Sequence, residues 1–182
     1  MTSLFSTRLQ LIPLPLTSLE QLAISRTTLE TARGLEISNL RLSGDHDFMA
    51  EFDEALPQYI IPQVKDHPDH WFWYTHWLVV HRELNLTIGG IGVAGAPDAT
   101  GQTMIGYFMD QKFEGRQFTT EAVACFLDWI FQHPDVKAVV ADTPTQHLAS
   151  QRVLQKNGFQ LVGAVEEGVR WERRRSQPLV QV

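Results

Sequence analysis

The run Ile105-Gly-Tyr-Phe-Met-Asp-Gln-Lys-Phe-Glu-Gly-Arg-Gln-Phe-Thr-Thr-Glu-Ala122 carries residue types suited to holding an anion. An apolar strand reads up to Met109, a loop with Gly115 follows, and a helix begins near Thr119. A helix start leaves backbone N–H groups unpaired and carries partial positive charge, so a pyrophosphate docks there readily. Gly115 lets the main chain approach the anion closely, and Arg116 could add charge. Read by itself, the segment is equally an ordinary connecting loop. A second run, Thr145-Gln-His-Leu-Ala-Ser-Gln-Arg-Val-Leu-Gln-Lys-Asn-Gly-Phe159, is an amphipathic helix with a glycine stop. It places the His147 imidazole and the Ser150 hydroxyl near its start. By itself it too reads as a structural helix.

Other reactive types are less organised. Asp66-His-Pro-Asp-His70 has metal-ligand residues, but Pro68 makes it a loop and no further ligand set accompanies it, so no metal is expected. Cys125 is the only cysteine, which rules out an internal disulfide; it sits in an apolar helical run and reads as a small hydrophobe. The aromatic cluster Trp71-Phe-Trp-Tyr-Thr-His-Trp77 is either core packing or, with Phe48 and Tyr59, the wall of an acceptor pocket. His76 and His81 share a strand and could take a proton near neutrality.

These groups need a scaffold, and the periodicities supply one. Arg8–Leu14 alternates as a first strand, and a helix capped at Thr17 or Ser18 runs to about Ala32. Phe48–Tyr59 is helical, ending near Pro62. Strands follow at Trp77–Arg82, Thr87–Ala94 and Thr103–Met109, with a turn at Gly95–Gly101. A helix over Thr119–Gln132 buries Ala122, Val123, Phe126, Trp129 and Ile130. Then come a short strand at Val136–Asp142, a helix over Pro144–Lys156, and paired strands at Phe159–Val165 and Val169–Arg173. The order predicts a mixed α/β sheet with helices packed on it, as one domain spanning residues 1–182.

Bulk composition narrows the function classes. The 182 residues are 43% hydrophobic with net charge −6, which argues against direct nucleic-acid binding. Arg170–Arg175, interrupted by Trp171 and Glu172, reads as a solvated strand end. Residues 1–10 lack the apolar core of a signal peptide, and no stretch approaches the about 20 apolar residues of a membrane span, so a cytoplasmic protein is expected.

In this order the two chemical segments resemble the GCN5-related N-acetyltransferase (GNAT) superfamily, within it the branch that acetylates ribosomal-protein N-termini. Arg8-Leu-Gln-Leu-Ile-Pro-Leu14 resembles the branch's opening strand, Ile88-Gly-Gly-Ile-Gly92 its third and Ile105–Asp110 its fourth. Lys112–Ala122 resembles the cofactor loop and His147–Phe159 the later helix. The resemblance implies a fold whose parallel fourth and fifth strands splay into a cleft, with acetyl-CoA as co-substrate. It places the pantetheine arm along Tyr107, Phe108 and Met109, and the pyrophosphate on the amides of Glu114, Gly115, Arg116, Gln117, Phe118 and Thr119. Ser150 lies where relatives carry a hydroxyl proposed to serve the departing thiolate; otherwise it is a helix-surface serine bonded to its own backbone. His147 stands where the family has Asn, and could reach the cofactor or merely occupy the first turn. Gln117 replaces a small residue, so its side chain must turn away for its amide to face a phosphate; Met104 stands where relatives carry a basic glutamate. The implied reaction is direct acetyl transfer to a primary amine: first a protein or peptide N-terminus, second a small amine such as a polyamine or antibiotic. A non-catalytic acyl-CoA-binding protein is the reading from another class. A homodimer could form through a sheet edge or the aromatic segment.

Overall fold

Apolar and β-branched runs alternate with capped amphipathic segments along the chain, and the computed structural model, which describes residues 2–43 and 48–175, arranges them around a sheet. The strands are β1 (Leu4–Phe5), β2 (Leu9–Pro13), β3 (His76–His81), β4 (Leu86–Val93), β5 (Gln102–Met109), β6 (Ala138–Thr143), β7 (Gln160–Val165) and β8 (Gly168–Arg174). The helices are α1 (Leu16–Ile24), α2 (Arg26–Ala32), α3 (Phe48–Ala55), α4 (Ile61–Asp66), α5 (Phe118–Ile130) and α6 (Leu148–Lys156). The eight strands pair in the order β1-β2-β3-β4-β5-β6-β8-β7. Every pair is antiparallel except β5 with β6.

Alternation along β3 divides the core. Trp77 and Val79 point to one face, where they meet Val123, Phe126, Leu127 and Trp129 of α5 and Leu154 of α6. Leu78 and Val80 point to the other, against Leu19 and Leu22 of α1, Leu29 of α2 and Ile61 and Val64 of α4. The α5 residues expected to be inside are all buried.

The parallel pair is incomplete. Gln102, Thr103 and Met104 pair with Ala138, Val139 and Val140, and there the ladder stops. Beyond it β5 stays paired with β4 through Gly89↔Met109, and β6 with β8 through Thr143↔Val169. Each strand is therefore secured on its outer side while the inner sides part. This is the splay expected of the fourth and fifth strands in a GNAT-like sheet.

Ties across the sheet keep it rigid around that opening. Burial alone would raise the Glu121 carboxyl, but the Arg8 N–H and Ser6 hydroxyl (both 2.8 Å) and Arg8 Nε (2.7 Å) donate to it and hold it low. The basic end of β8 is solvated at Arg174 but tied down beside it. Arg170 clamps Asp142 through two bonds of 2.8 and 2.7 Å, and Arg173 and Arg175 donate to the carbonyls of Asn157 and Val136.

Several boundaries differ from the sequence expectation. The first helix starts at Leu16 after an extended Pro15, not at a Thr17 or Ser18 cap, and it breaks at Ser25. Ser25 is extended, and its side chain accepts from Thr28 N–H to start α2. Pro62 does not end the next helix. A π-helical turn at Leu56–Ile60 lets the chain continue through Pro57 and Pro62 to Asp66, both prolines sitting where a helix start needs no N–H. Helix α6 starts at Leu148, after the irregular stretch Pro144–His147, and β6 starts at Ala138. Strand β1 was not foreseen, being too short to show a period.

Gly168 brings the start of β8 close to the end of β6: a Cβ there would lie 2.2 Å from the Thr143 carbonyl oxygen and 2.9 Å from Pro144 Cα. Gly168→Ala should therefore destabilise folding by about 1–3 kcal/mol in urea titrations. A loss under about 0.5 kcal/mol would show that the turn yields freely.

Candidate active site

Where β5 and β6 part, a cleft of about 1340 Å³ opens. Its lining comes from both faces of the sheet. Tyr107 and Val153 belong to the layer packed on α5, while Phe52 and Ile60 belong to the layer on the opposite face. The cleft thus passes through the sheet. It gathers Tyr107, Phe108, Met109, Glu114, Gly115, Gln117, Thr119, His147 and Ser150. Arg116 and Phe118 do not line it. The Arg116 carbonyl accepts from Arg8 Nη1 at 3.2 Å, and the Phe118 ring is buried beneath the Arg8 guanidinium, 4.1 Å away.

The loop before α5 turns twice through the left-handed region, at Gly115 (φ 69°) and Gln117 (φ 66°). Gly115 does this without steric cost, and open space lies where a Cβ would sit. Gln117 precedes the first helical turn, and its side chain caps nothing there. Instead its Oε1 accepts from Lys156 Nζ at 3.0 Å, so the side chain points toward α6. The backbone amides of residues 115–120 have no acceptor among the described residues. Free amides, a helix start and an adjacent lysine suit a pyrophosphate. The unpaired inner edge of β5 suits an extended amide-bearing arm. The residues present therefore fit coenzyme A.

In the cleft lining, Tyr107 Oη and Ser150 Oγ lie 2.9 Å apart, and Tyr107 also reaches the Ser150 carbonyl at 3.3 Å. Burial pushes the Tyr107 phenol up to about 12, against the smaller opposing effect of the Ser150 bond, so it stays protonated at neutral pH. His147 is the cap of α6: its Nδ1 accepts the Ser150 N–H at 3.1 Å. In the neutral ring, Nε2 then carries the proton. Met104 lines the cleft where a glutamate was sought, and the lining carboxylates among the described residues are Glu114 and Asp142. Glu114 accepts from Ser43 Oγ at 3.2 Å, and Asp142 is clamped by Arg170.

Comparison with known proteins agrees with this geometry. The family model described as "Acetyltransferase (GNAT) domain" matches residues 9–160. The chain belongs to the GNAT acetyltransferase family. The uncharacterized N-acetyltransferase YjdG of Bacillus subtilis is 27% identical over 122 residues, covering 67% of this chain and 71% of YjdG. Among solved structures, the ribosomal-protein-S5-alanine acetyltransferase of Vibrio fischeri is similar with a TM-score of 0.64 at 16% identity, covering 96% of this chain and 97% of that one. RimL, a ribosomal alpha-N-protein acetyltransferase in complex with coenzyme A, gives a TM-score of 0.66 at 15% identity over 95% and 98% of the two chains. These structures share the fold.

In this GNAT acetyltransferase the two histidines considered as bases are separated. His81 lies away from the cleft, its Nδ1 accepting from Leu84 N–H. His76 lines the cleft and is 6% exposed, with Nε2 lacking a partner among the described residues. Its ring lies parallel to Phe108, 5.7 Å away, and meets Phe52 edge-on at 4.7 Å. Gly90 makes that packing possible, since a Cβ there would stand 2.2 Å from His76 Cε1 and 2.6 Å from Phe108 Cε1. The foreseen aromatic wall is split. Tyr74, Phe48 and Tyr59 line the cleft, but Trp73 and Trp77 are core. Cys125 is outside the cleft, and burial, then Asp128 and Glu121, push its thiol up to about 11. Among the described residues no cluster of His, Cys, Asp or Glu could hold a metal, and no helix is long and apolar enough to cross a membrane. Lys156 and the Tyr107–Ser150 contact were missed from sequence; the spacing of Tyr107 from Ser150 along the chain gives no signal of contact.

Burial, then the positive charge of Arg26, lowers the His76 imidazole to about 3 from an unfolded value of 6.5. The unfolded chain therefore binds the proton more tightly. Stability from this group is complete above about pH 6.5 and is lost as pH falls toward 3. The loss reaches at most about 5 kcal/mol. His76→Phe should flatten the difference in unfolding free energy between pH 7 and pH 4; an unchanged difference would show that His76 does not govern it.

Proposed function

We propose that this enzyme moves the acetyl group of acetyl-CoA directly to the free amine at the N-terminus of a protein or peptide, in the cytoplasm, with the chain acting as one catalytic domain. The parting of β5 and β6 carries this reading. It leaves one edge of β5 free between an anion-binding loop and a second chamber across the sheet. Solved structures of the same fold that are named as acetyltransferases of ribosomal proteins support a protein acceptor.

Bound acetyl-CoA supplies a thioester whose carbonyl carbon is open to a neutral amine. In this reading the amides of Gly115, Arg116, Gln117, Phe118 and Thr119, aided by Lys156, hold the pyrophosphate, while the Glu114 N–H is already paired with the Gln111 carbonyl. The backbone of Tyr107, Phe108 and Met109 aligns the pantetheine arm, and His147 Nε2 faces the cofactor. Such alignment is worth roughly 7–11 kcal/mol of a barrier. The amine nitrogen bonds to the acetyl carbon as the C–S bond breaks. The proton leaving nitrogen passes to water, and Ser150 Oγ, held by the protonated Tyr107, donates to the departing sulfur.

Acetyl-CoA incubated with free-N-terminus peptides should release thiol in step with peptide acetylation. Coenzyme A binding without thiol release for any amine would defeat the reading. Ser150→Ala should lower kcat by about tenfold or more with little change in the KM for acetyl-CoA; unchanged turnover would remove Ser150 from the chemistry. Lys156→Ala should weaken coenzyme A binding by about tenfold, measured by calorimetry, and unchanged affinity would mean that the free amides suffice.

A further inference from the structure

The half of the cleft that faces α3 and α4 differs in chemistry from the half that suits a phosphate. Phe48, Phe52, Tyr59, Tyr74, His76 and Phe108 line it, drawn from helical and sheet elements on one face. Four of these rings, those of Phe48, Phe52, His76 and Phe108, form a continuous surface. Phe108 lies 5.4 Å from Phe48 and 6.0 Å from Phe52, and Phe52 in turn meets His76. Phe48 and Phe52 are one helical turn apart and share a face of α3, which buries none of its own residues in the core. Phe48 lines the chamber, and Phe52 both lines it and packs against the core on that face.

Charge is arranged in the same sense. Among the described residues, Glu114 and Asp142 are the carboxylates lining the cleft, and both have partners. The charge acting on His76 is a cation, Arg26, one of whose guanidinium nitrogens is buried without a partner among the described residues. Arg26 has Glu30 and Asp53 beside it, so a second ammonium on the acceptor would gain no unpaired carboxylate from the lining among the described residues and would lose its water among aromatic walls. A carboxylate would have to lose its water among rings. An apolar group would gain by covering them.

We propose that this chamber selects acceptors whose amine-bearing carbon carries an aromatic or branched aliphatic group, such as a peptide beginning with Phe or Leu. The inference rests on the N-terminal acetyltransferase reading given above and adds the identity of the flanking group.

The test uses the full chain with saturating acetyl-CoA and hexapeptides alike except for a first residue of Phe, Leu, Ala, Lys or Asp. Phenethylamine and spermidine are included as free amines. Thiol release should give kcat/KM for the Phe and Leu peptides at least about tenfold above those for Lys and Asp. Phe52→Glu should shrink the Phe-to-Lys ratio by about tenfold or more, with coenzyme A binding by calorimetry showing that the fold stands; Phe48→Glu, on the same helix face, replaces it if that variant does not fold. A flat profile, or one led by Lys or Asp, overturns the selection and leaves N-terminal acetylation intact. Phenethylamine favoured over spermidine with no peptide accepted supports the chamber and defeats the peptide reading. Coenzyme A binding with no turnover of any amine overturns both.

Discussion

A sheet that leaves two neighbouring strands unpaired exposes backbone groups that would otherwise be satisfied, and here that constraint organises everything else. β5 and β6 share a short ladder and then diverge, so Ile105–Met109 presents an unused edge to the cleft. A bound molecule can complete the ladder. The chain itself must hold the strands apart, and it does so from outside, through β4 on one flank and β8 on the other.

The residues that secure those flanks lie partly away from the reacting atoms. Glu121 gathers Arg8 and Ser6 onto α5, fixing the helix that follows the Gly115–Gln117 loop. Arg170 and Arg175 bind β8 to β6 and to the carbonyl preceding it. A cluster of arginines in an acidic chain thus serves internal geometry. Gly90 and Gly168 contribute the complementary property, an absence of atoms where two rings or two backbone segments must meet.

Legibility in the sequence followed the range of the interactions. Helix α5 was readable because its buried residues repeat at helical spacing, and the loop before it because Gly115 and a following helix form a local pattern. The family resemblance rested on the order of such patterns, and the chain proved to belong to that family. What stayed hidden was set by distant partners or by helix geometry without a compositional mark. The Pro57–Pro62 stretch reads as a helix end, yet a π-helical turn carries the chain through it. Gln117 looked too large for its place until Lys156 appeared to hold its side chain aside. His147 reads either as reaching the cofactor or as occupying the first turn, and its Nδ1 accepts from the helix start. The arginines of β8 look solvated until Asp142 and Asn157 are placed beside them.

That the cleft draws its lining from both faces of the sheet has a topological consequence. A compound joining a phosphate-bearing end to an acceptor-like end would be threaded between the strands, with a bulky group on each side. Its escape would require one end to be drawn between the parted strands, beside the Tyr107–Ser150 contact. Residence time would then follow the girth of its slimmer end more than the sum of its contacts.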